Sequence, residues 1–573
     1  MKIMNFKRLN TSLLLGSAAI FVASCDLVKD ITYTVNPNPL EMHGDSVAIS
    51  VTVNIPPKGI KKKVSVEITP TLGNAKLSTW KIQGEKATGN GQTITFKPGG
   101  SATFTEVVAY DPSMEASELR FTGKVFKGTK EKSKEAIPST KLADATIVTP
   151  LMVRPVFMML TETADIRRSK DTTVSAQLNF LKGKDEVRAT ELKDKDILDL
   201  VTWIQTAQTN PKIKINSIAI NGYASPDGEE TYNDPLSGRR TRTARTAVIA
   251  LMKKNNLTQY LDTNMYALSG NGEDMAGFQN ALAQSTTIKQ EDKDLFIRVL
   301  GMGGQNDKKE DDIYALSKGF TQLEKEIFPA LRRAEIVVSY TEMGLNDDEL
   351  RAKAMSSPAA MTADELIFTA SKLVKDLNDQ GKIYDAAALS YPTDVRALNN
   401  AGAVAYMQGN YAKAKTNFDK ALSAKDNNKT KNNLAGVAMV QGDRATAKKL
   451  LGQVKEKNAE VNYNNAIIAV LEGNYSNAVS GFGSASFNKA LAQVLVGTLD
   501  EASKTLADSK DKDAADGHYL KAIIAARSNA GVDAVVSSLK SAIAKDSKLR
   551  EKAAKDREFI KFMDDATFSA AVK

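Results

Sequence analysis

The sequence holds a single cysteine, Cys25, so no disulfide can close within the chain. Histidine is nearly as scarce. With only His43 and His518 there is no Cys/His cluster for a metal, no cysteine nucleophile beside a base, and no evident serine–histidine–acid set. His43 stands beside a turn signal and His518 at a helix start, and both read as surface residues. Gly301-Met302-Gly303-Gly304 lacks the Lys-Ser/Thr that a phosphate loop requires. Paired carboxylates such as Asp311 and Asp312 are of the kind common on solvated faces. These absences point away from an enzyme, and no metal or cofactor is expected. No apolar run approaches ~20 residues, which predicts no transmembrane helix.

What the chain does contain begins at its start. Lys2, Lys7 and Arg8 form a basic patch, Leu13–Ala23 is an apolar run too short to span a bilayer, and Val22-Ala23-Ser24-Cys25 follows. That tetrapeptide resembles a lipobox, the signal at which bacterial lipoproteins are cleaved and acylated. The resemblance implies that residues 1–24 are a leader and that Cys25 carries lipid, a stable tether when several acyl chains share one residue. Asp26 belongs to the sorting signals of such proteins, so which membrane carries the lipid stays open between outer and inner. Loss of Lys2, Lys7 and Arg8 takes the formal charge from +9 to +6, mild for this length. An exported lipoprotein seldom meets nucleic acid, and no nucleic-acid partner is expected. The cluster Lys127, Lys130, Lys132 and Lys134 reads as a solvated loop between strands.

At 573 residues the chain exceeds a single core, and roughly 150 residues per domain predicts three or four domains. Residues 25–150 carry a β signal. Val47, Ile49, Val51 and Val53 alternate with Ala48, Ser50 and Thr52, and Val64, Val66 and Ile68 repeat the period. Turn signals at Asn36-Pro37-Asn38-Pro39, Pro56-Pro57-Lys58-Gly59 and Pro98-Gly99-Gly100 separate the runs, predicting an all-β, immunoglobulin-like sandwich of about seven strands.

Residues 151–343 read as α/β. A strand through Val174, Ala176, Leu178 and Phe180 precedes a helix with the stripe Ile197, Leu198, Val201 and Ile204. An isoleucine strand (Ile213, Ile215, Ile218, Ile220) then hands the chain to a polar loop at Asn221-Gly222, and a helix is predicted from near Ser237. Gly222, Tyr223, Asn233, Leu236, Ser237 and Arg240 fall without a gap on the pattern Gly-(His/Tyr)-Thr-Asp…Asn-x-x-Leu-Ser-x-x-Arg-Ala. Arg332-Arg333-Ala334-Glu335-Ile336 matches a closing Arg-Arg-x-Glu-Ile strand. The segment thus resembles the OmpA-like domain that holds peptidoglycan. The resemblance implies a peptide-stem ligand whose carboxylate meets Arg240 and whose ammonium meets an Asp. By position that Asp is Ser225, and Asp227, two residues on, is the carboxylate that a differently bent loop would supply. Tyr223, Ser225, Asp227, Asn233 and Arg240 are therefore the expected peptidoglycan-binding residues. The stretch 270–331 is expected to be an inserted helical excursion.

Residues 344–361 are polar, contain Ser356-Ser357-Pro358, and read as a linker; Thr362 and Glu365 have capping-box spacing at the next helix. Gly409-Asn410-Tyr411, Gly442-Asp443 and Gly473-Asn474-Tyr475 then recur at spacings of 33 and 31. Gly402, Tyr406, Tyr411, Ala414, Phe418 and Ala421 follow a small/large pattern, and Gly436 stands 34 residues after Gly402. Residues 362–573 thus resemble tetratricopeptide repeats, which implies an α-helical solenoid whose concave face binds a protein partner. No residue of that face is singled out.

The expectation from sequence is a multidomain, non-enzymatic lipoprotein of the outer membrane, facing the periplasm or the cell surface. It would bind peptidoglycan through the α/β domain and a protein through the repeats. The alternative is an assembly or adhesion scaffold whose OmpA-like domain is structural only.

Overall fold

The computed structural model describes residues 27–302, 306–315 and 318–573; Cys25 and its leader lie outside them. The chain divides into two compact units, one of residues 164–373 and one that joins residues up to Thr163 with Val374–Lys573. The β region and the helical repeats, read from sequence as separate domains, therefore share a unit. Among the described residues no helix is long and apolar enough to cross a membrane.

In the β region, Thr32–Val35, Met42–His43, Ser46–Ile55 and Gly100–Ala109 form one sheet. Val64–Thr71, Trp80–Gly84, Gln92–Ile94, Ser117–Lys127, Lys130–Glu131 and Ile137–Ala145 form the other. The alternation in Ser46–Ile55 buries Val47, Ile49, Val51, Val53 and Ile55, and residues of both sheets enter one core around Tyr33 and Phe121. Polar contacts then tie this region to the repeats. Arg527 donates to Glu558 and to Glu41, both at 2.6 Å, and the Gly44 amide donates to the Tyr475 hydroxyl at 3.1 Å. An arginine this enclosed must be paired to be tolerated, which explains the two carboxylates around it.

The unit of residues 164–373 holds a four-stranded sheet in the spatial order Ser169–Asn179, Arg333–Met343, Ile213–Ala224, Tyr266–Glu273. The last pair is parallel and the others antiparallel. The helix Glu230–Lys254 packs on this sheet so closely that a Cβ at Gly222 would lie 2.2 Å from the Ser237 carbonyl oxygen. That helix starts seven residues before the predicted Ser237. Its first turns contain Asn233-Asp234-Pro235, which mimic a loop; the proline forfeits one backbone bond, and Asp307 caps the start by accepting from the Glu230 amide at 2.7 Å. Of the excursion expected at 270–331, residues up to Glu273 complete the strand Tyr266–Glu273, and helices follow, including Met275–Gln284, Gln290–Leu300 and Phe328–Leu331. The expected linker 344–361 is a correction: Asp347–Ser356 is a helix with a capping box between Asn346 and Glu349 and a buried Leu350. It belongs to this unit, as does the helix Ala363–Phe368.

From Val395 onward the helices come in pairs: Val395–Met407 with Tyr411–Ala424, Asn428–Val440 with Arg444–Gly452, Ala459–Leu471 with Tyr475–Gly481, Phe487–Val496 with Leu499–Asp508, and Ala515–Arg527 with Val532–Lys545. Gly409, Gly442, Gly473, Gly497 and Gly531 turn each pair at φ between 78° and 93°, a conformation that side chains resist. The next residue caps the second helix in the first two pairs, Asn410 accepting from Lys413 and Asp443 from Thr446. Phe418 fills the space that Gly402 leaves, its ring 2.5 Å from where a Cβ would stand.

Candidate peptide groove and the motif loop

Residues 151–163, assigned from sequence to the α/β domain, instead pass along the first helices of successive pairs. Four asparagines hold this segment by its backbone. Asn488 accepts from the Arg154 amide at 2.9 Å and donates to its carbonyl at 3.0 Å. Asn464 does the same for Met158 at 2.7 and 2.9 Å, Asn433 for Leu160 at 2.7 and 2.7 Å, and Asn400 for Glu162 at 2.7 and 2.8 Å. Each carboxamide thus uses its acceptor and a donor on one residue of an extended chain, whose period of two brings residues 158, 160 and 162 to the same side. Asn432 and Asn399 add second donors to the Met158 and Leu160 carbonyls. The six asparagines are buried, and their bonds to the segment satisfy groups that burial would otherwise make costly.

The segment runs against the order of the repeats, from Asn488 to Asn400. At its start the Arg154 guanidinium meets Asp516 through Nε at 2.8 Å and Nη2 at 2.7 Å, and Asp511 through Nη1 at 2.7 Å. Its Cζ lies 4.5 Å from the centre of the Phe487 ring. Phe157 and Leu160 are buried, and Gly436 leaves room for the segment: a Cβ there would lie 2.5 Å from Met159 Cε and 3.2 Å from Phe157 Cβ.

None of these ladder residues was singled out from the sequence, although a signal was present. Asn400, Asn433, Asn464 and Asn488 each stand nine residues before the turn glycines Gly409, Gly442, Gly473 and Gly497. A polar residue repeating in phase with the turns, on an otherwise small and apolar helix face, marks a lined groove. In the fifth pair the position is Ala522, and the ladder ends there.

In the α/β unit the motif residues do converge, around the loop after Ile213–Ala224. Arg240 is 1% exposed. Its Nη1 donates to the Tyr223 carbonyl at 2.7 Å, Nε to Lys184 at 2.9 Å and Nη2 to Leu181 at 3.2 Å. Burial, reinforced by the charge of Arg332, pushes its pKa down to about 10, so it stays charged at neutral pH. The planar fork expected to grip a ligand carboxylate is spent on three backbone carbonyls. Asn233 donates to the carbonyls of Ser225 and Gly228 and to Glu273, fixing the loop. The Tyr223 ring lies under the Arg333 guanidinium, 4.4 Å from its centre. Ser225 donates to Asp227 and accepts from Arg332 Nε at 2.9 Å. The Asp227 side chain, 5% exposed, pairs with Arg332 at 2.7 Å and Lys182 at 2.9 Å. Its charge is balanced from within the unit. Lys182 escaped the sequence reading because only the fold brings it to Asp227, and Arg332 was read only as part of a closing strand. A cleft of about 190 Å³ opens beside Asp227, lined by Glu229, Asp307, Asp311, Tyr314 and Phe320. Among the described residues no group of His, Cys, Asp and Glu could hold a metal ion.

Comparison with known proteins adds one assignment. Residues 395–428 match the family model of the tetratricopeptide repeat, so the helical array contains a repeat of that family. Among solved structures, the chain is similar to that of YrrB, a TPR protein with an unusual peptide-binding site, at 20% identity over 35% of this chain and 94% of that one, with a TM-score of 0.20. It is also similar to yeast Tom70, at 13% identity over 67% of this chain and 83% of that one, with a TM-score of 0.25. Neither likeness is close enough to carry an argument, and the assignment rests on the family model and the helix pairs. No curated protein matches the chain.

Proposed function

We propose that this chain is a cell-envelope scaffold, tethered to the outer membrane through acylated Cys25, whose repeats grip the chain's own connecting segment and whose OmpA-like unit is a structural module. The β region is, on this reading, an immunoglobulin-like spacer, and no catalytic role is assigned. The observation that carries the proposal is the asparagine ladder. Four buried carboxamides bind residues 154, 158, 160 and 162, so the groove that would take a partner already holds the chain. The motif loop supports it in the same way, since Asp227 and Arg240 are satisfied by Arg332, Lys182 and backbone carbonyls. Limited chymotrypsin digestion of the full chain tests the ladder. Cleavage after Phe157 and Leu160 is expected only as the repeats unfold, and cutting there at the rate of an unfolded peptide would sink the proposal. Radiolabelled palmitate incorporation that Cys25→Ser abolishes tests the tether.

A second reading keeps the α/β unit as a grip on peptidoglycan, and the cleft beside Asp227 favours it. Four carboxylates with Tyr314 and Phe320 suit an ammonium group through charge and aromatic faces. Co-sedimentation of the full chain with isolated sacculi decides between the readings: pelleting that Asp311→Asn weakens supports the grip, and a chain left in the supernatant supports the structural role.

A further inference from the structure

Resting on the reading that residues 153–162 occupy the repeat groove, we propose that this groove is a receptor for an arginine-led extended segment of a partner protein, and that the chain's own segment is its resident competitor. The ladder makes no demand on sequence, because each bond of Asn488, Asn464, Asn433 and Asn400 to the segment goes to a backbone amide or carbonyl. Selection is left to the side chains of the segment. At one end Asp511 and Asp516 frame a guanidinium over Phe487, an arrangement that suits the planar fork of arginine and not the point charge of lysine. Beyond it, Phe157 enters the repeat core and Met159 packs against it, while Val156, 61% exposed, faces outward. The preferred ligand therefore has an arginine followed by large apolar residues three and five positions on. The outward exposure of Val156 and of Met158, 40%, shows a groove open along its length, so a segment can leave and another enter sideways without threading. Covalent attachment gives the resident segment an effective concentration in the millimolar range, which keeps a micromolar competitor out until the segment is weakened.

The test uses the full chain with residues 153–162 replaced by a Gly-Ser stretch of equal length. Its probe is a fluorescein-labelled peptide of residues 152–163, alongside the same peptide with Arg154→Ala. Fluorescence anisotropy is expected to show micromolar binding of the first peptide by the replaced chain, binding of the second at least about tenfold weaker, and binding of neither by the wild type. A replaced chain that keeps its helical circular dichroism yet binds neither peptide, or both equally, overturns the proposal. So does a wild-type chain found as a segment-exchanged dimer, which would assign the groove to a second copy. Should the replaced chain lose its helices, the wild-type sequence with protease sites on both sides of the segment is cut after folding. Uptake of the labelled peptide with release of the cut segment then supports the proposal, and retention of the segment for a day in excess peptide overturns it. Chymotryptic protection of the segment without peptide uptake would refute this inference alone; absence of protection would refute the self-occupied groove itself.

Discussion

Replacing Asn433 by alanine removes the centre of the ladder. Four bonds go: the Leu160 amide to Oδ1 at 2.7 Å and Nδ2 to the Leu160 carbonyl at 2.7 Å, which hold the segment, and Nδ2 to Asn399 at 3.0 Å and Asn432 to Oδ1 at 3.2 Å, which link the ladder. Each contributes about 1 kcal/mol net. The Leu160 carbonyl retains Asn399 as donor, but the buried Leu160 amide loses its acceptor, and an orphaned donor adds about another 1 kcal/mol or more. The docked segment should therefore lose about 3–4 kcal/mol. Where opening is fast relative to cleavage, digestion follows the open population, so chymotrypsin should cut after Phe157 and Leu160 about 10²–10³ times faster. Asn465→Ala is the matched control. Asn465 neighbours the ladder residue Asn464, is exposed, and donates only to the Val461 carbonyl of its own helix; its loss should cost under about 0.5 kcal/mol. Equal digestion rates for the two variants would refute the assignment of binding energy to the ladder.

Other perturbations probe the same arrangement from different sides. Gly436→Ala should destabilise the docked segment by about 1–3 kcal/mol through overpacking against Met159 and Phe157, and adding Met159→Ala should restore part of it in the same digestion assay. Arg240→Lys should lower the denaturation midpoint of the α/β unit by the equivalent of about 2–4 kcal/mol, since one ammonium cannot serve the carbonyls of Tyr223, Lys184 and Leu181; unchanged stability would show the fork to be dispensable. Burial, with the Glu558 charge beside it, pushes the Asp556 carboxyl above its ordinary value of 3.8. The folded state then holds that proton more tightly than the unfolded state, so the contribution is complete below 3.8 and is lost as pH rises through the folded value. Asp556→Asn keeps an acceptor for the Tyr519 hydroxyl and should raise the urea midpoint at pH 7 while flattening its fall above pH 4; a lowered midpoint would contradict the sign.

The two places where a ligand was expected share a physical solution. In the repeats an extended segment of the chain satisfies the asparagines, and in the α/β unit Arg332 and Lys182 satisfy Asp227. Both remove the cost of buried polar groups without a ligand. A module so completed keeps its shape when empty of partners, which is what a scaffold requires.

The sequence by itself determined the local elements. Alternation in Val47–Val53, the stripe of Ile197, Val201 and Ile204 (with Leu200 buried in place of the expected but exposed Leu198) and the recurring Gly-Asn and Gly-Asp turns each reflect a constraint within a few residues: strand period, helix period, or a backbone angle that glycine tolerates. Tyr223, Ser225, Asp227, Asn233 and Arg240 converge around one loop because of the strand and helix that carry them. Only the tertiary structure decided what those residues do. Arg240 looked available because its exposure depends on Leu181 and Lys184, about sixty residues upstream, whose carbonyls close over it. Residues 344–361 looked like a linker because their polar composition hides the two small contacts, Leu350 and Ala354, that dock the helix. Residues 151–163 looked like the start of a domain because an extended segment held by distant side chains has no period of its own. Its conformation is fixed by asparagines more than 230 positions away in the chain, and hydrogen bonding over such separations leaves its mark in the partner's repeat rather than in the segment.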